Sequence, residues 1–204
     1  MTPPQGADDS ASKTGRRAEL LDIAATLFAE RGLRATTVRD IADAAGILSG
    51  SLYHHFDSKE SMVDEILRGF LDDLFSKYRE IVASGLDSRA TLEALVTTSY
   101  EAIDASHSAV AIYQDEVKHL VANERFEYLS ELNTEFRGLW MGVLEAGVKD
   151  GSFRADIDVE LAFRFLRDTA WVAVRWYRPG GTVTVDTVAK QYLSIVLDGL
   201  ASPR

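Results

Sequence analysis

An all-α fold of about nine helices follows from three features of the 204-residue sequence. Its four prolines stand at Pro3, Pro4, Pro179 and Pro203, so residues 5–178 lack the residue that most strongly breaks a helix. Apolar residues recur at helical spacing through that whole stretch. Only Thr182 to Val185 alternates like a strand, too short a run for a sheet. With 46% hydrophobic and 26% charged residues, the chain is long enough for one well-buried core, or for a small head on a larger body.

Residues 1–12, rich in Pro, Gly, Asp and Ser and without apolar periodicity, are expected to form a disordered arm. Leu20, Leu21, Ile23, Ala24, Leu27 and Phe28 define an amphipathic helix over Arg17–Arg31, which Gly32 ends. Thr36 or Thr37 caps a two-turn helix over Val38–Ala45, followed by Gly46, and a third short helix covers Ser49–Phe56. Asp57 or Ser58 then caps a long helix from Lys59 to about Ala83, whose apolar stripe runs unbroken from Met62 to Val82. Beyond Ser84-Gly85 the spacing predicts helices over 91–105, 107–121, 126–150, 159–178 and 185–200. No repeat of fixed period argues for a solenoid. The expected division is an arm over 1–12, a head over 13–60 with its motif at 36–56, and a body over 61–204.

The absence of cysteine excludes disulfides, thiolate metal sites and a cysteine nucleophile, and it suits a reducing compartment. Charges interrupt every apolar segment well short of the roughly 18 residues a membrane span needs, and MTPPQGADDSASK lacks the order of a signal peptide. A cytoplasmic protein without a membrane partner is expected. His54-His55 with Asp57 and Glu60 is a poor metal site, because adjacent histidines project in different helical directions. No cofactor fingerprint, phosphate loop or catalytic constellation appears, so neither cofactor nor enzymatic activity is expected. The net charge of −10 argues against a nucleic-acid partner only on average. From Ser10 to Glu60, Lys/Arg and Asp/Glu balance at seven each. A neutral head with its cations on one face still binds DNA, while the acidic body helps orient it.

TTVRDIADAAGILSGSLYHHF has the anatomy of a helix-turn-helix: an alanine-rich first helix, a glycine turn, and Ile47 and Leu52 spaced to plug the joint. The second helix presents Leu48, Ser49, Gly50, Ser51, Tyr53 and His54, small residues for groove entry with longer ones to reach phosphates or bases. Thr36 and Thr37 flank the motif, and Lys59 joins a helix N-terminus suited to a phosphate. A bland helical hairpin shares the same pattern. The run Ile41-Ala42, Ala45-Gly46, Gly50, Leu52-Tyr53, His54, Phe56 and Ser58-Lys59-Glu60 resembles the signature of the TetR family of transcriptional regulators. That resemblance implies a homodimer that binds double-stranded operator DNA. Where the family often places Ser or Thr and then Lys or Arg, this chain has Leu48 and Ser49; Ser49 is then expected to take over the cap and Leu48 to meet a thymine methyl.

In VELAFRFLRDTAWVAVRWYRPGG, a continuous helix places Arg164, Arg167, Trp171, Arg175 and Arg178 within about 80° of one another. Such a stripe suits a bulky anion, with guanidinium forks for phosphate and an indole for a ring, or else forms a solvated or dimer-edge face paired with Asp168 and Glu160. This stretch and the head are similar to actinobacterial TetR-type repressors of late (ring C/D) cholesterol catabolism genes. That likeness implies release from DNA by a coenzyme A thioester of a sterol-ring fragment, with Arg167 and Trp171 central and the other arginines secondary. Leu161, Phe165 and Val172, with Val188, Tyr192, Ile195 and Val196, are expected to make a four-helix dimer seam. A regulator or activator sensing apolar cations, and a helical acyl-coenzyme A enzyme, are the competing readings.

Overall fold

The computed structural model describes residues 7–198, with side chains from Gly15 onward. Among them the order is α1 (Ala7–Arg31), α2 (Val38–Ala44), α3 (Ser49–Leu52), α4 (Lys59–Ala83), α5 (Ser88–Ala105), α6 (His107–Leu120), α7 (Tyr128–Asp150), α8 (Val159–Trp171) and α9 (Val185–Asp198). Two 3-10 turns, Glu124–Phe126 and Val172–Arg175, precede α7 and follow α8. No strand occurs among the described residues, in keeping with the brevity of the Thr182 run.

Residues 7–12, expected in a disordered arm, are instead the start of α1. No proline or glycine lies between Ala7 and Lys13, so nothing there stops the helical backbone from running back. Residues 1–6 lie outside the described residues. The helix expected over Ser49–Phe56 stops at Leu52, because the amides of His54 and His55 bond three residues back, to Ser51 and Leu52, and tighten the chain into a turn. The helix expected over 91–105 starts earlier, at Ser88, where the Asp87 side chain accepts from Ala90 N at 2.8 Å. That expected over 126–150 starts later, at Tyr128, since the 3-10 turn takes up Phe126. Residues 199–200 of the last expected helix lie outside the described residues.

The head is α1 to α3 closed on the first turns of α4. Leu20, Ala24 and Phe28 of α1 are buried with Ile41, Ala42, Leu52 and Phe56, over Met62 and Val63 of α4. Arg17 locks this unit. Its guanidinium donates to Glu65 of α4 and to His55 O, and lies 4.2 Å from the Phe56 ring centroid. In the body, α5 packs on α4, α7 and α9. Tyr78 and Trp140 are fully buried there, edge to face with centroids 6.1 Å apart. Ser99 Oγ donates to Leu95 O at 2.7 Å, leaving the Tyr78 hydroxyl to donate to Ser99 at 2.6 Å. Burial pushes the Tyr78 phenol well up from its ordinary range, so it stays a neutral donor.

The largest departure from expectation is the end of α8. A helix was expected to run through Arg178, but α8 stops at Trp171 and tightens into the 3-10 turn. Tyr177 is the anchor: its buried ring reaches Asp104 of α5 through a 2.5 Å hydroxyl hydrogen bond, and His107 Nε2 lies 3.2 Å from its carbonyl. Seating Tyr177 there draws the chain off the α8 axis.

Candidate functional site

The turn between α2 and α3 is set by Gly46, whose φ of +67° is costly for any residue with a Cβ. Its amide bonds Asp43 O at 3.2 Å and that of Ile47 bonds Ala42 O at 3.0 Å, the double closure that ends a helix sharply. Leu48 follows, 80% exposed, and is itself the N-cap of α3, with no side-chain hydrogen bond to the helix. Ser49 therefore does not take over the cap. It is already helical, and Leu48 offers no acceptor. Gly50, Tyr53 and His54 are exposed, and Ser49 and Ser51 are half-buried. Leu48, Gly50, Tyr53 and His54 thus leave a solvent-facing surface at α3, with an apolar tip at its start.

Two of the expected DNA contacts are turned inward. Thr36 is fully buried, and its Oγ1 donates to Gly32 O at 2.9 Å and Leu27 O at 3.2 Å. It closes the C-terminal end of α1 and cannot reach a duplex. Lys59 Nζ donates to Leu33 O at 2.8 Å and to Thr36 O at 2.7 Å, so its ammonium pins the α1–α2 loop. Thr37 is exposed but occupied as the cap of α2: Asp40 N donates to its Oγ1, while Thr37 N and Oγ1 both donate to Asp40 Oδ2. These Thr37 hydrogen bonds hold the Asp40 carboxyl below its ordinary range. Arg34 in the loop and Arg39 in the first turn of α2, absent from the expected contacts, are both exposed. Arg39 meets Asp43 only at 3.7 Å. Their signal was available, as cations flanking the capping threonine at the motif's entrance.

In the body, Arg167 and Trp171 stand together and the rest of the arginine stripe disperses. An inner cavity of about 70 Å³ is walled by Phe70, Leu74 and Phe75 of α4 and Phe136 of α7. An outer groove of about 250 Å³ reaches Asp168 and Arg175. Gln114 of α6, Arg167 and Trp171 border both, so they form a sill between a cavity lined mainly by aromatic and aliphatic side chains and a groove of mixed lining that carries the charged Asp168 and Arg175. Trp171 is buried; Arg167 Nε donates to Asp168 at 2.7 Å and its guanidinium carbon lies 5.4 Å from the Phe163 centroid. The hydrogen bond to Asp168 raises the Arg167 pKa and lowers that of Asp168.

Arg164 is not at the sill: it pairs with Glu160 at 3.0 Å, and Glu160 also takes Arg137 at 2.6 Å. Arg178 donates back to Arg175 O and Tyr177 O. The two have different causes: the end of α8 at Trp171 takes Arg178 off the line that a longer helix would draw, while Arg164, within α8, sits a turn too early and is held by Glu160. Arg175, beyond the break, still reaches the groove and donates to Asp115 at 3.2 Å.

A second surface is apolar and uncovered. Leu161, Phe165 and Val172, with Ile195 and Val196 of α9, are exposed, and Phe165 is 68% so. Trp176 joins them. Val188, expected on this seam, is buried, while Tyr192 is half-buried beside it, its hydroxyl donating to Leu166 O at 3.1 Å. An open hollow of about 820 Å³ between α5, α8 and α9 borders the same face, with Phe165, Ile195 and Val196 in its wall.

Residues 20–66 match the model described as bacterial regulatory proteins, tetR family. Residues 85–200 match that of the tetracyclin repressor-like C-terminal domain. A Rhodococcus jostii protein named HTH-type transcriptional repressor KstR2 is 94% identical over 203 residues, covering 100% of this chain and 99% of that protein. Its Mycobacterium tuberculosis namesake is 59% identical over 185 residues, 91% and 92% of the two chains. The solved structure described as the ketosteroid transcriptional regulator KstR2 of Mycobacterium tuberculosis superposes with a TM-score of 0.88 at 58% identity, over 92% of this chain and 96% of that one.

Proposed function

Because the chain belongs to the TetR family of bacterial transcriptional regulators, we propose that it is a cytoplasmic homodimeric repressor of ketosteroid (sterol) catabolism genes, released from its operator by a coenzyme A thioester. It is a regulator and not an enzyme. Residues 13–60 form the DNA-binding unit and residues 61–204 the ligand-binding and dimerisation unit. Leu48, Ser49, Gly50, Ser51, Tyr53 and His54 enter the major groove, with Thr37, Arg34 and Arg39 toward the flanking phosphates. One four-residue recognition helix makes few contacts, so affinity requires two heads at successive grooves. The exposed Leu161, Phe165, Val172, Trp176, Ile195 and Val196 supply the apolar surface that joins the copies.

The observation that carries the ligand class is the sill of Gln114, Arg167 and Trp171, which separates a mainly aromatic and aliphatic cavity from a groove of mixed lining that carries Asp168 and Arg175. A hydrocarbon ring fits inward among phenylalanines, and the phosphates of coenzyme A fit outward against Arg167 and Arg175. Both arginines are paired with an aspartate, Arg167 with Asp168 and Arg175 with Asp115, so a phosphate binds there by exchanging for those carboxylates as the bidentate partner. Pockets for such ligands run to about 300–1,000 Å³. An inner cavity of about 70 Å³ must therefore widen to admit a ring, which moves the helices around it. That widening is the differential contact by which a ligand favours one head spacing over another.

The test is calorimetric titration of the dimer with the coenzyme A thioester of a C/D-ring carboxylic acid. Arg167→Ala is expected to weaken binding at least tenfold, with Arg164→Ala within about twofold of wild type. Equal binding by Arg167→Ala and wild type refutes the site.

A further inference from the structure

One residue of the sill, Gln114, lies on the turn of α6 that grips the head. Gln114 borders both spaces of the effector site, and Asp115 accepts from Arg175 of the groove. The next residue, Glu116, points the other way. Its Oε1 accepts from Leu33 N at 3.2 Å, in the loop between α1 and α2, and sits 3.8 Å from where a Cβ would stand on Gly32. Leu33 O is held from the far side by Lys59 Nζ at 2.8 Å. Both backbone polar groups of Leu33 are thus taken by side chains, one from the body and one from α4. The loop they hold leads directly to Thr37, the cap of α2.

We propose that Glu116 is the residue that couples the effector site to the DNA-binding head, by carrying a displacement of the Gln114–Glu116 turn into the α1–α2 loop. The inference rests on the reading of the sill as the effector site, and it names how that site is regulated. The physical requirement for coupling is an element with two arrangements that both sites bias. Here it is one turn of helix, rigid because its backbone hydrogen bonds are internal, with ligand-facing atoms at one position and a head-facing carboxylate two positions on. A ligand that widens the inner cavity acts on this turn and so on the Glu116 hydrogen bond. A part-buried hydrogen bond of this kind, which needs an acceptor at the right reach more than a charge, has the strength to change an affinity by roughly fivefold. Glu116 touches neither the cavity nor the exposed surface of α3, so its loss leaves both binding sites with their own contacts.

The test uses the full-length dimer on DNA from upstream of its own gene, at fixed salt, with the coenzyme A thioester of a C/D-ring carboxylic acid as probe. The quantity read is the coupling factor, the operator Kd at saturating thioester divided by that without it. Glu116→Ala removes the carboxylate; Glu116→Asp keeps the charge and shortens its reach; Glu116→Gln keeps an acceptor at the same reach. The expected result is a coupling factor at least fivefold below wild type for Glu116→Ala and Glu116→Asp, near wild type for Glu116→Gln, with thioester Kd within about twofold in all three. Should Glu116→Ala fail to fold by circular dichroism, the Asp and Gln pair carries the same comparison. A wild-type coupling factor in Glu116→Asp overturns the inference and leaves the effector site standing. A wild-type dimer that the thioester neither binds nor leaves the operator for overturns the effector reading, and the inference with it.

Discussion

Replacing Lys59 with methionine separates two roles that its position at the start of α4 suggests equally. If the ammonium held a phosphate, the two protomers would each give up one neutralised charge. The slope of log K against log salt would then shallow by about 1.8 for the dimer, at about 0.9 per contact. The structure instead spends the ammonium on Leu33 O and Thr36 O, at 2.8 and 2.7 Å. Hydrogen bonds to a charged donor contribute about 1.5–3 kcal/mol each when well buried. Lys59 is only half-buried and Met keeps most of the stem's packing, so each bond falls below that range, near the ordinary net value of about 1 kcal/mol, or about 2 kcal/mol for the pair. For a chain of this size that lowers Tm by roughly 4–8 °C. Thermal unfolding by circular dichroism reads the first quantity, and anisotropy on one operator from 50 to 200 mM salt reads the second. The expected outcome is a lower Tm with an unchanged salt slope, measured well below the variant's Tm. An unchanged Tm with a slope shallower by nearly two refutes the inward assignment of Lys59.

Three further outcomes follow from named contacts. Thr36→Val, which keeps shape but loses the hydrogen bonds to Gly32 O and Leu27 O, is expected to cost about 1–2 kcal/mol in urea denaturation while leaving operator affinity of the folded dimer within about twofold; a selective loss of DNA affinity at full stability would return Thr36 to the DNA surface. Gly147→Ala would place a Cβ 2.1 Å from Phe153 Cδ2, so this ring must leave its seat on α7, at about 1–3 kcal/mol by denaturant titration; a neutral result would show that the Phe153 ring moves freely. Phe165→Glu puts a charge on the exposed apolar face and should yield a monomer by sedimentation equilibrium at micromolar concentration, with specific DNA binding lost; a dimer of wild-type affinity would move the interface elsewhere.

Helix order was legible because each element carries its own apolar period and most carry a cap or a stop: Gly32 and Gly46 at two ends, Ser58 and Asp158 at two starts. The helix-turn-helix was legible for the same local reason, since Gly46, Ile47 and Leu52 act within a few residues of one another. What periodicity did not reveal was decided by contacts far along the chain. Tyr177 ends the α8 line by reaching Asp104, a residue 73 positions earlier, and with that break Arg178 left the cluster that helical geometry had drawn. Thr36 and Lys59 carry the chemistry of DNA contacts, yet orphan carbonyls at the end of α1 and in its loop recruit both. Sequence gave no sign of those acceptors, because a backbone carbonyl is invisible in composition. Glu116 was missed for the same reason: its partner is an amide 83 residues away.

The most direct measurement is fluorescence anisotropy of the dimer on labelled upstream DNA, at fixed salt, titrated separately with the C/D-ring coenzyme A thioester, its free acid and free coenzyme A. Release by the thioester alone, without its hydrolysis, is the result predicted from an apolar cavity joined at Arg167 and Trp171 to a groove that carries Arg175. Specific binding that none of the three relieves, or that the free acid relieves equally well, would contradict it.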